Sequence, residues 1–153
     1  MRVISLLTAL ILASCASTKE DFRVWGHSIG DSHFTSVTEV IGRPEFFDGQ
    51  PISVVGVVQF RHDDQPVFRL YASSEDLRNS VPAAIKVGTF SESLKISDED
   101  MRHLNGRTVM LEGTFIMINR PKFEHSSNDY VCLHECGVPG EVDDIRMIST
   151  WPP

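Results

Sequence analysis

The sequence predicts a mainly β domain with short helices, in which five strands close into a small barrel. Apolar side chains alternate with polar ones in several short runs, which is the pattern of strands with one buried face. Two of these runs carry a glycine on the inward face, Gly56 and Gly113, and a glycine inside a strand indicates a bend or a bulge. Bent strands of this kind are expected where a small barrel closes.

The first element of the domain is a short helix that begins after Ser36. Ser36 followed by Glu39 forms a capping box. Val37 and Val40 share one face at helical spacing. Gly42, which is soon followed by a proline, ends the helix after about two turns.

Three strands follow this helix. Residues 52–60 are mostly β-branched and apolar, residues 67–72 form a second run, and residues 82–87 contain a third, shorter one. Between the second and third strands, Ser73 or Ser74 caps a helical turn.

A second helix and two more strands complete the domain. Ser97 caps the helix, acidic residues fill its first turn, where the helix dipole favours them, and Gly106 ends it. Residues 107–118 form a long strand and residues 141–148 form the last one. Three strands, a helix and two strands over residues 51–148 follow the order of the OB-fold, a five-stranded and partly open barrel.

Two segments of the chain are similar to each other. Residues 48–56 read DGQPISVVG and residues 105–113 read NGRTVMLEG. Each has a turn, a basic or amide residue, an alternating strand and a glycine on the inward face. We therefore expect the two strands to begin and to bend in the same way.

Two further runs carry a resemblance. Pro44 to Gly49 has the order Pro-Glu-x-aromatic-Asp-Gly before a Val-x-Gly strand, and Leu70 to Asp76 has the order Leu-Tyr-x-Ser-x-Glu-Asp. In both runs the chain resembles a group of uncharacterised bacterial proteins. The resemblance supports the fold, implies no known activity and therefore points to no catalytic residues.

The N-terminus has the features of a secretory signal peptide. Arg2 supplies a positive charge, and Val3 to Ala13 is almost wholly apolar. A transmembrane helix needs roughly 20 apolar residues, and this run has about half that number. The pattern predicts export from the cytoplasm.

The end of this segment, Leu12-Ala13-Ser14-Cys15, resembles the lipobox of bacterial lipoproteins. The resemblance implies a diacylglyceryl group on the Cys15 sulfur, cleavage before Cys15 and acylation of its new amino group. Several acyl chains anchor a protein stably in a bilayer. Ala16, at a position where Asp favours the inner membrane, implies the periplasmic face of the outer membrane. The alternative is an ordinary secretory signal that leaves Cys15 as a free thiol.

Three segments follow from these patterns. Residues 1–14 are predicted to be the lipoprotein signal peptide, residues 15–35 the lipidated N-terminus and a tether, and residues 36–153 the OB-like domain. The tether has no sustained periodicity, and Trp25 and Ile29 are its candidates for docking on the core.

The charge balance limits the choice of partners. The chain has 14 basic and 21 acidic residues. Removal of residues 1–14 takes away one basic residue, Arg2, and leaves a net charge of −8. This balance disfavours nucleic acid, whose affinity for proteins comes largely from basic side chains. It also disfavours electrostatic attachment to anionic lipid, so the acyl chains on Cys15 are expected to hold the membrane alone.

Cys132, His134 and Cys136 stand at alternate positions near the C-terminus. In an extended strand they would share one face and could ligate zinc or copper, with His125 as a fourth ligand. A tight turn would instead bring the two sulfurs within range of a disulfide, which the oxidising compartment of an exported chain favours. Unpaired thiols are the third reading. The gap between the cysteines differs from the two-residue gap of standard zinc sites, and no cofactor is expected.

The remaining candidates for chemistry are weak. The pairs Asp63-Asp64 and Asp143-Asp144 fit a solvated surface better than acid–base catalysis. We expect neither a nucleophile elbow nor a glycine-rich phosphate loop.

Several aromatic residues lie on the predicted strands. OB-folds often bind ligands on the face of their second and third strands. Core packing is expected to account for most of these rings, and Tyr71 is the candidate exception because its hydroxyl prefers water or a partner. The set is Phe60, Phe68, Tyr71, Phe115 and Tyr130.

Together these patterns predict a lipid-anchored, non-enzymatic binding or assembly module of the bacterial envelope. Its expected partners are the bilayer, through acylated Cys15, and an envelope protein or glycan, but not nucleic acid. The alternative is an envelope metal-binding protein that uses Cys132, His134 and Cys136. A hydrolase with dispersed catalytic residues has no support in the sequence.

Overall fold

The computed structural model describes residues 22–28, 30–61, 67–118 and 138–152. In these residues the chain forms seven strands and four short helices. In chain order they are β1 (Val24–Gly26), β2 (His33–Ser36), α1 (Val37–Gly42), α2 (Pro44–Phe47), β3 (Pro51–Arg61), β4 (Val67–Tyr71), α3 (Ser74–Arg78), β5 (Ile85–Val87), α4 (Asp98–Leu104), β6 (Thr108–Met117) and β7 (Gly140–Thr150).

Five of the strands form a closed barrel. β3 pairs antiparallel with β4 and with β6, and β4 pairs antiparallel with β5. β5 pairs parallel with β7, and β7 pairs antiparallel with β6, which closes the ring. The order around the barrel is therefore β3-β4-β5-β7-β6, with α4 between β5 and β6 in the chain. The predicted mainly β, OB-like barrel is confirmed.

The barrel is filled by side chains from alternate positions of its strands. α1 contributes Val37 and Val40 to the same core, and α4 contributes Met101 and Leu104. Burying one large apolar side chain stabilises the fold by about 1.5–3 kcal/mol. The fully buried members from the strands are Ile52, Val54, Val58, Leu70, Ile85, Val109, Leu111, Phe115, Val142, Ile145 and Ile148.

The three predicted helix caps are present. The Ser36 hydroxyl accepts a hydrogen bond from the Glu39 N–H (3.2 Å), and the Ser97 hydroxyl accepts one from the Asp100 N–H (3.1 Å). Ser73, rather than Ser74, caps α3. α2 was not expected, because its proline looks like a helix stop in the sequence. Pro44 occupies the first turn of this new helix, where a proline costs no hydrogen bond.

The two similar segments form matching turns at the two ends of the β3–β6 pair. Asp48 (φ −57°, ψ 124°) precedes Gly49 (φ 73°), and Asn105 (φ −58°, ψ 124°) precedes Gly106 (φ 78°). These are type II turns, whose third position needs a positive φ and so favours glycine.

Each of these turns is tied to the opposite strand in the same way. The Asp48 carboxylate accepts a hydrogen bond from the Met117 N–H, and the Asn105 side-chain oxygen accepts one from the Phe60 N–H, both at 2.8 Å. The similarity between residues 48–56 and 105–113 thus corresponds to a local two-fold symmetry of the β3–β6 pair and its two turns.

The two inward glycines lie where other chain atoms come close. A Cβ on Gly56 would lie 2.7 Å from the Tyr71 carbonyl oxygen, and one on Gly113 would lie 2.7 Å from the Asp143 carbonyl oxygen. Gly113 also marks a bulge, where the β6–β7 register shifts between Glu112 and Thr114. The predicted bend is therefore a bulge at this position.

The folded unit begins earlier than the sequence predicts. Within the segment expected to be a tether, β1 pairs antiparallel with β7, and β2 pairs parallel with β3. Trp25 packs against the core and Thr35 is buried, whereas Ile29 lies outside the described residues. Strands of three and four residues are too short to show a periodicity, so pairing with the barrel forms them.

Between β1 and β2 the chain crosses the outer surface of β6. The Ser28 hydroxyl donates a hydrogen bond to the Glu112 carboxylate (3.2 Å), and the hydroxyls of Ser32 and Ser53 lie 2.5 Å apart. Glu112 is only 1% exposed, although it points away from the barrel interior. These contacts hold the N-terminal segment against the barrel.

Candidate functional site

Several predicted site residues lie outside the described part of the chain. They are Cys15, Asp63, Asp64, His125, Tyr130, Cys132, His134 and Cys136. Their lipidation, disulfide or metal roles remain predictions. Among the residues that the structure does describe, no group of three or more His, Cys, Asp or Glu side chains could hold a metal ion. Nor does any helix there have the length and apolar character to cross a membrane.

One four-residue row runs across the outer face of the barrel. Gln59 on β3 is the register partner of Arg69 on β4, and Arg69 is the partner of Lys86 on β5. Lys86 is in turn the partner of Glu141 on β7. We call Gln59, Arg69, Lys86 and Glu141 the polar row. It crosses the face of the second and third barrel strands, where OB-folds often bind ligands.

The local fold explains why these four side chains face outward. Their neighbours Leu70 and Ile85 are fully buried, and successive side chains of a strand point to opposite faces. Side chains on directly opposite positions of paired strands lie close enough to act on one ligand.

Hydrogen bonds and charge organise the polar row. The Tyr71 hydroxyl donates to the Gln59 side-chain oxygen (3.2 Å), and Lys86 Nζ lies 3.0 Å from the Glu141 carboxylate. Tyr71 is only 2% exposed, so its ring belongs to the protein interior while its hydroxyl positions Gln59. The row places two cations, Arg69 and Lys86, side by side on an acidic protein.

The other predicted aromatic residues serve packing. Phe60 and Phe115 are buried in the core, and Phe68 packs against it. The rings of Phe60 and Phe68 pack edge to face, with their centroids 5.0 Å apart. The expectation that most of these rings belong to the core is confirmed for the described residues.

The Asp143-Asp144 pair has a structural role. The Asp143 carboxylate accepts hydrogen bonds from the Thr89 N–H (2.7 Å) and from the Thr89 hydroxyl, which joins the segment after β5 to β7. The Asp144 carboxylate accepts from the Arg146 guanidinium instead. The two carboxylates therefore have separate partners and do not form an acid–base pair.

The Asp143 interaction predicts acid sensitivity. The hydroxyl and N–H of Thr89 lower the pKa of Asp143 below its usual 3.8. A carboxyl with a lowered folded-state pKa stabilises the protein above its unfolded pKa, and this stabilisation is lost as the pH falls through the folded value. We expect Thr89→Val to remove about 0.5–1 kcal/mol of unfolding free energy at neutral pH and much less near pH 2.

Urea unfolding at the two pH values measures this difference. Thr38→Val, at an exposed position of α1, is the matched control and should have the same small effect at both pH values. An equal loss at neutral and acid pH for Thr89→Val would show that the Asp143 carboxylate is not the group involved.

One run of the sequence has the letters of a nucleophile elbow after all. Gly26-His27-Ser28-Ile29-Gly30 fits the pattern Gly-x-Ser-x-Gly. A nucleophile elbow needs a strand, a sharp turn and then a helix. Here Gly26 is the last residue of the edge strand β1, the next element that the structure describes is the strand β2, and the Ser28 hydroxyl donates to Glu112. The run therefore lacks the context of a catalytic serine.

Comparison with known proteins adds little to this description. No protein-family model and no curated protein matches the chain. A solved structure from Leishmania major Friedlin, described as a "putative aspartyl-tRNA synthetase", is similar with a TM-score of 0.43 and 14% identity. The similarity covers 78% of this chain and 21% of that one. A similarity at this level assigns neither an activity nor a ligand.

Proposed function

We propose that this chain is a bacterial envelope lipoprotein whose OB-like barrel is a non-enzymatic binding module. In this proposal acylated Cys15 anchors it to the periplasmic face of the outer membrane. The polar row is the observation that carries the binding role, because it lies across the barrel face that OB-folds use for ligands.

The chemistry of the polar row favours an anionic or hydroxyl-rich ligand. The guanidinium of Arg69 offers a planar fork of donors that matches a carboxylate, and the Lys86 ammonium, whose charge is paired with Glu141, adds further N–H donors. Gln59 supplies an amide that can bind hydroxyl or peptide groups. An acidic segment of an envelope protein, or an acidic glycan, has these groups.

The described residues favour binding over catalysis. The carboxylates of Asp143 and Asp144 are engaged in structural hydrogen bonds. The polar row contains an amide, two cations and a paired carboxylate, without the nucleophile and adjacent base that acyl transfer needs. The proposal therefore assigns the polar row to binding.

Site-specific photo-crosslinking in cells tests both parts of the proposal. A photoreactive residue in place of Arg69 in the full chain should give a crosslinked species of higher mass in the membrane fraction. Cys15→Ser should move the chain to the soluble fraction and strongly reduce the crosslink, since an unanchored module loses the high local concentration of its partner. Mass spectrometry of the mature chain measures the acyl groups on Cys15.

Two matched controls limit the interpretation. The same photoreactive residue in place of Arg102, which is exposed on α4, should give no specific crosslink. Cys132→Ser should leave the chain in the membrane fraction, because Cys15 is the proposed acylation site. A mature chain without acyl groups would refute the anchor, and equal crosslinking from positions 69 and 102 would refute the binding face.

A further inference from the structure

A second face of the molecule is apolar and exposed. It lies on the outer side of β1, β2, β3, β6 and β7, beside the segment that crosses β6. Phe34 is 58% exposed, Val24 is 50% exposed and Phe22 is 48% exposed, although most of the large apolar residues that the structure describes are buried or half-buried. We call these three residues, together with the half-buried Val55, Met110 and Trp151, the apolar patch.

Strand register places these residues on one surface. Val55 and Met110 are cross-strand partners, Met110 is the partner of Ser149, and Ser149 is the partner of Val24. Alternation along the chain puts Phe22 on the same side as Val24.

The aromatic rings join the two edges of the apolar patch. The ring centroids of Phe34 and Trp151 lie 5.8 Å apart. Hydrogen bonds between Arg23 and Thr150 continue the β1–β7 pairing to the end of β1, next to Trp151. The patch therefore spans from β2 to β1.

The position of the patch relative to the N-terminus suggests what covers it. The patch includes Phe22, the first residue that the structure describes, and Cys15 lies seven residues earlier in the chain. A fully extended chain spans at most about 3.6 Å per residue, so Cys15 lies within about 25 Å of Phe22. An acyl group on Cys15 would hold the patch close to the bilayer surface.

We infer that the apolar patch rests on the lipid bilayer and orients the barrel on the membrane. This inference rests on the proposed lipid anchor at Cys15. Tryptophan is enriched at the membrane–water interface, phenylalanine is common on apolar faces that insert there, and exposed apolar surfaces of this kind mark interaction sites. The nearby Arg23 guanidinium lies 4.0 Å from the Asp100 carboxylate, and the inferred contact is made by the apolar side chains of the patch.

Fluorescence quenching by brominated lipids tests this contact. The full-length protein is extracted from its own membrane and reconstituted into vesicles of phosphatidylethanolamine and phosphatidylglycerol, with and without bromine on the acyl chains. Brominated chains should quench Trp151. Trp25, which packs against the core, should contribute little. Trp151→Phe should therefore remove most of the quenching.

Substitutions in the patch separate its role from that of the anchor. Phe22→Ser with Val24→Ser should reduce quenching several-fold while the acylated protein stays in the vesicles. Ile116→Ser is the matched control, because Ile116 is a similarly exposed apolar residue (41%) outside the patch. It should leave the quenching unchanged.

The outcomes distinguish the inference from the proposed function. An acylated protein whose Trp151 is not quenched would overturn the bilayer contact and leave the anchor intact. Quenching of an unacylated protein would refute the anchor and support the contact. If neither acylation nor quenching is found, both are wrong. Patch substitutions that change self-association but not quenching would show that a second copy covers the patch.

Discussion

Gly113→Ala is expected to destabilise the barrel by about 3 kcal/mol, the upper range for overpacking a protein interior. The added Cβ would lie 2.7 Å from the Asp143 carbonyl oxygen and 2.9 Å from Val142 Cγ1. Asp143 is fixed by its hydrogen bonds to Thr89, so the β7 backbone cannot move away easily. Urea unfolding at neutral pH measures the loss.

Two further glycine variants serve as comparisons for Gly113→Ala. Gly56→Ala should cost a similar amount, because its Cβ would meet the Tyr71 carbonyl oxygen, Leu70 and Val37, all at 2.7 Å. Gly42→Ala should be nearly neutral, since nothing lies within 4 Å of the added carbon. A Gly113→Ala protein as stable as Gly42→Ala would contradict the bulge geometry at this position.

A chain that starts at Ser36 should be less stable by about 3–5 kcal/mol than one that starts at Phe22. The shorter chain lacks β1, the first three residues of β2 and the partly buried Trp25, and the loss of this packing together with two strand pairings is expected to cost about as much as truncating a core aromatic side chain. It also leaves unpaired edges on β3 and β7, which favour aggregation.

Urea unfolding and light scattering of the two chains measure the difference. The chain from Phe22 should unfold as the full-length protein does and remain monodisperse. Equal stability of both chains would mean that the sequence-based boundary at residue 36 describes the independent folding unit better than the sheet does.

Local signals predicted most of the barrel. The capping serines Ser36, Ser73 and Ser97 act within three residues of the groups that they bind, so the sequence shows them directly. The alternating strands are visible because each has one face in the core. The turns that contain Gly49 and Gly106 need a positive φ at these residues, which glycine adopts readily.

Non-local contacts explain what the sequence could not reveal. β1 forms by pairing with β7, which lies more than a hundred residues later in the chain. β2 forms by pairing with β3, which lies about twenty residues later. The burial of Glu112 depends on the N-terminal segment that covers it, and nothing in the strand itself indicates this cover.

For the candidate site, the sequence predicted the face of the barrel but not the four residues of the polar row. The strand order pointed to the second and third barrel strands and to Tyr71, but the polar row depends on register. Arg69 and Lys86 become neighbours through the β4–β5 pairing, which no local pattern specifies. The predicted residues Cys132, His134 and Cys136 lie outside the described chain.

The closed order of the barrel has a consequence for how the molecule would stand on a surface. β6 has β3 and β7 as neighbours, so β4 and β5 lie across the barrel from it. With the apolar patch against the bilayer, β4 and β5 would face away from it, and the barrel would act as a spacer that lifts Arg69 and Lys86 about one sheet spacing, ~10 Å, or more above the lipid. A partner could then approach from the periplasm without displacing the protein from its membrane.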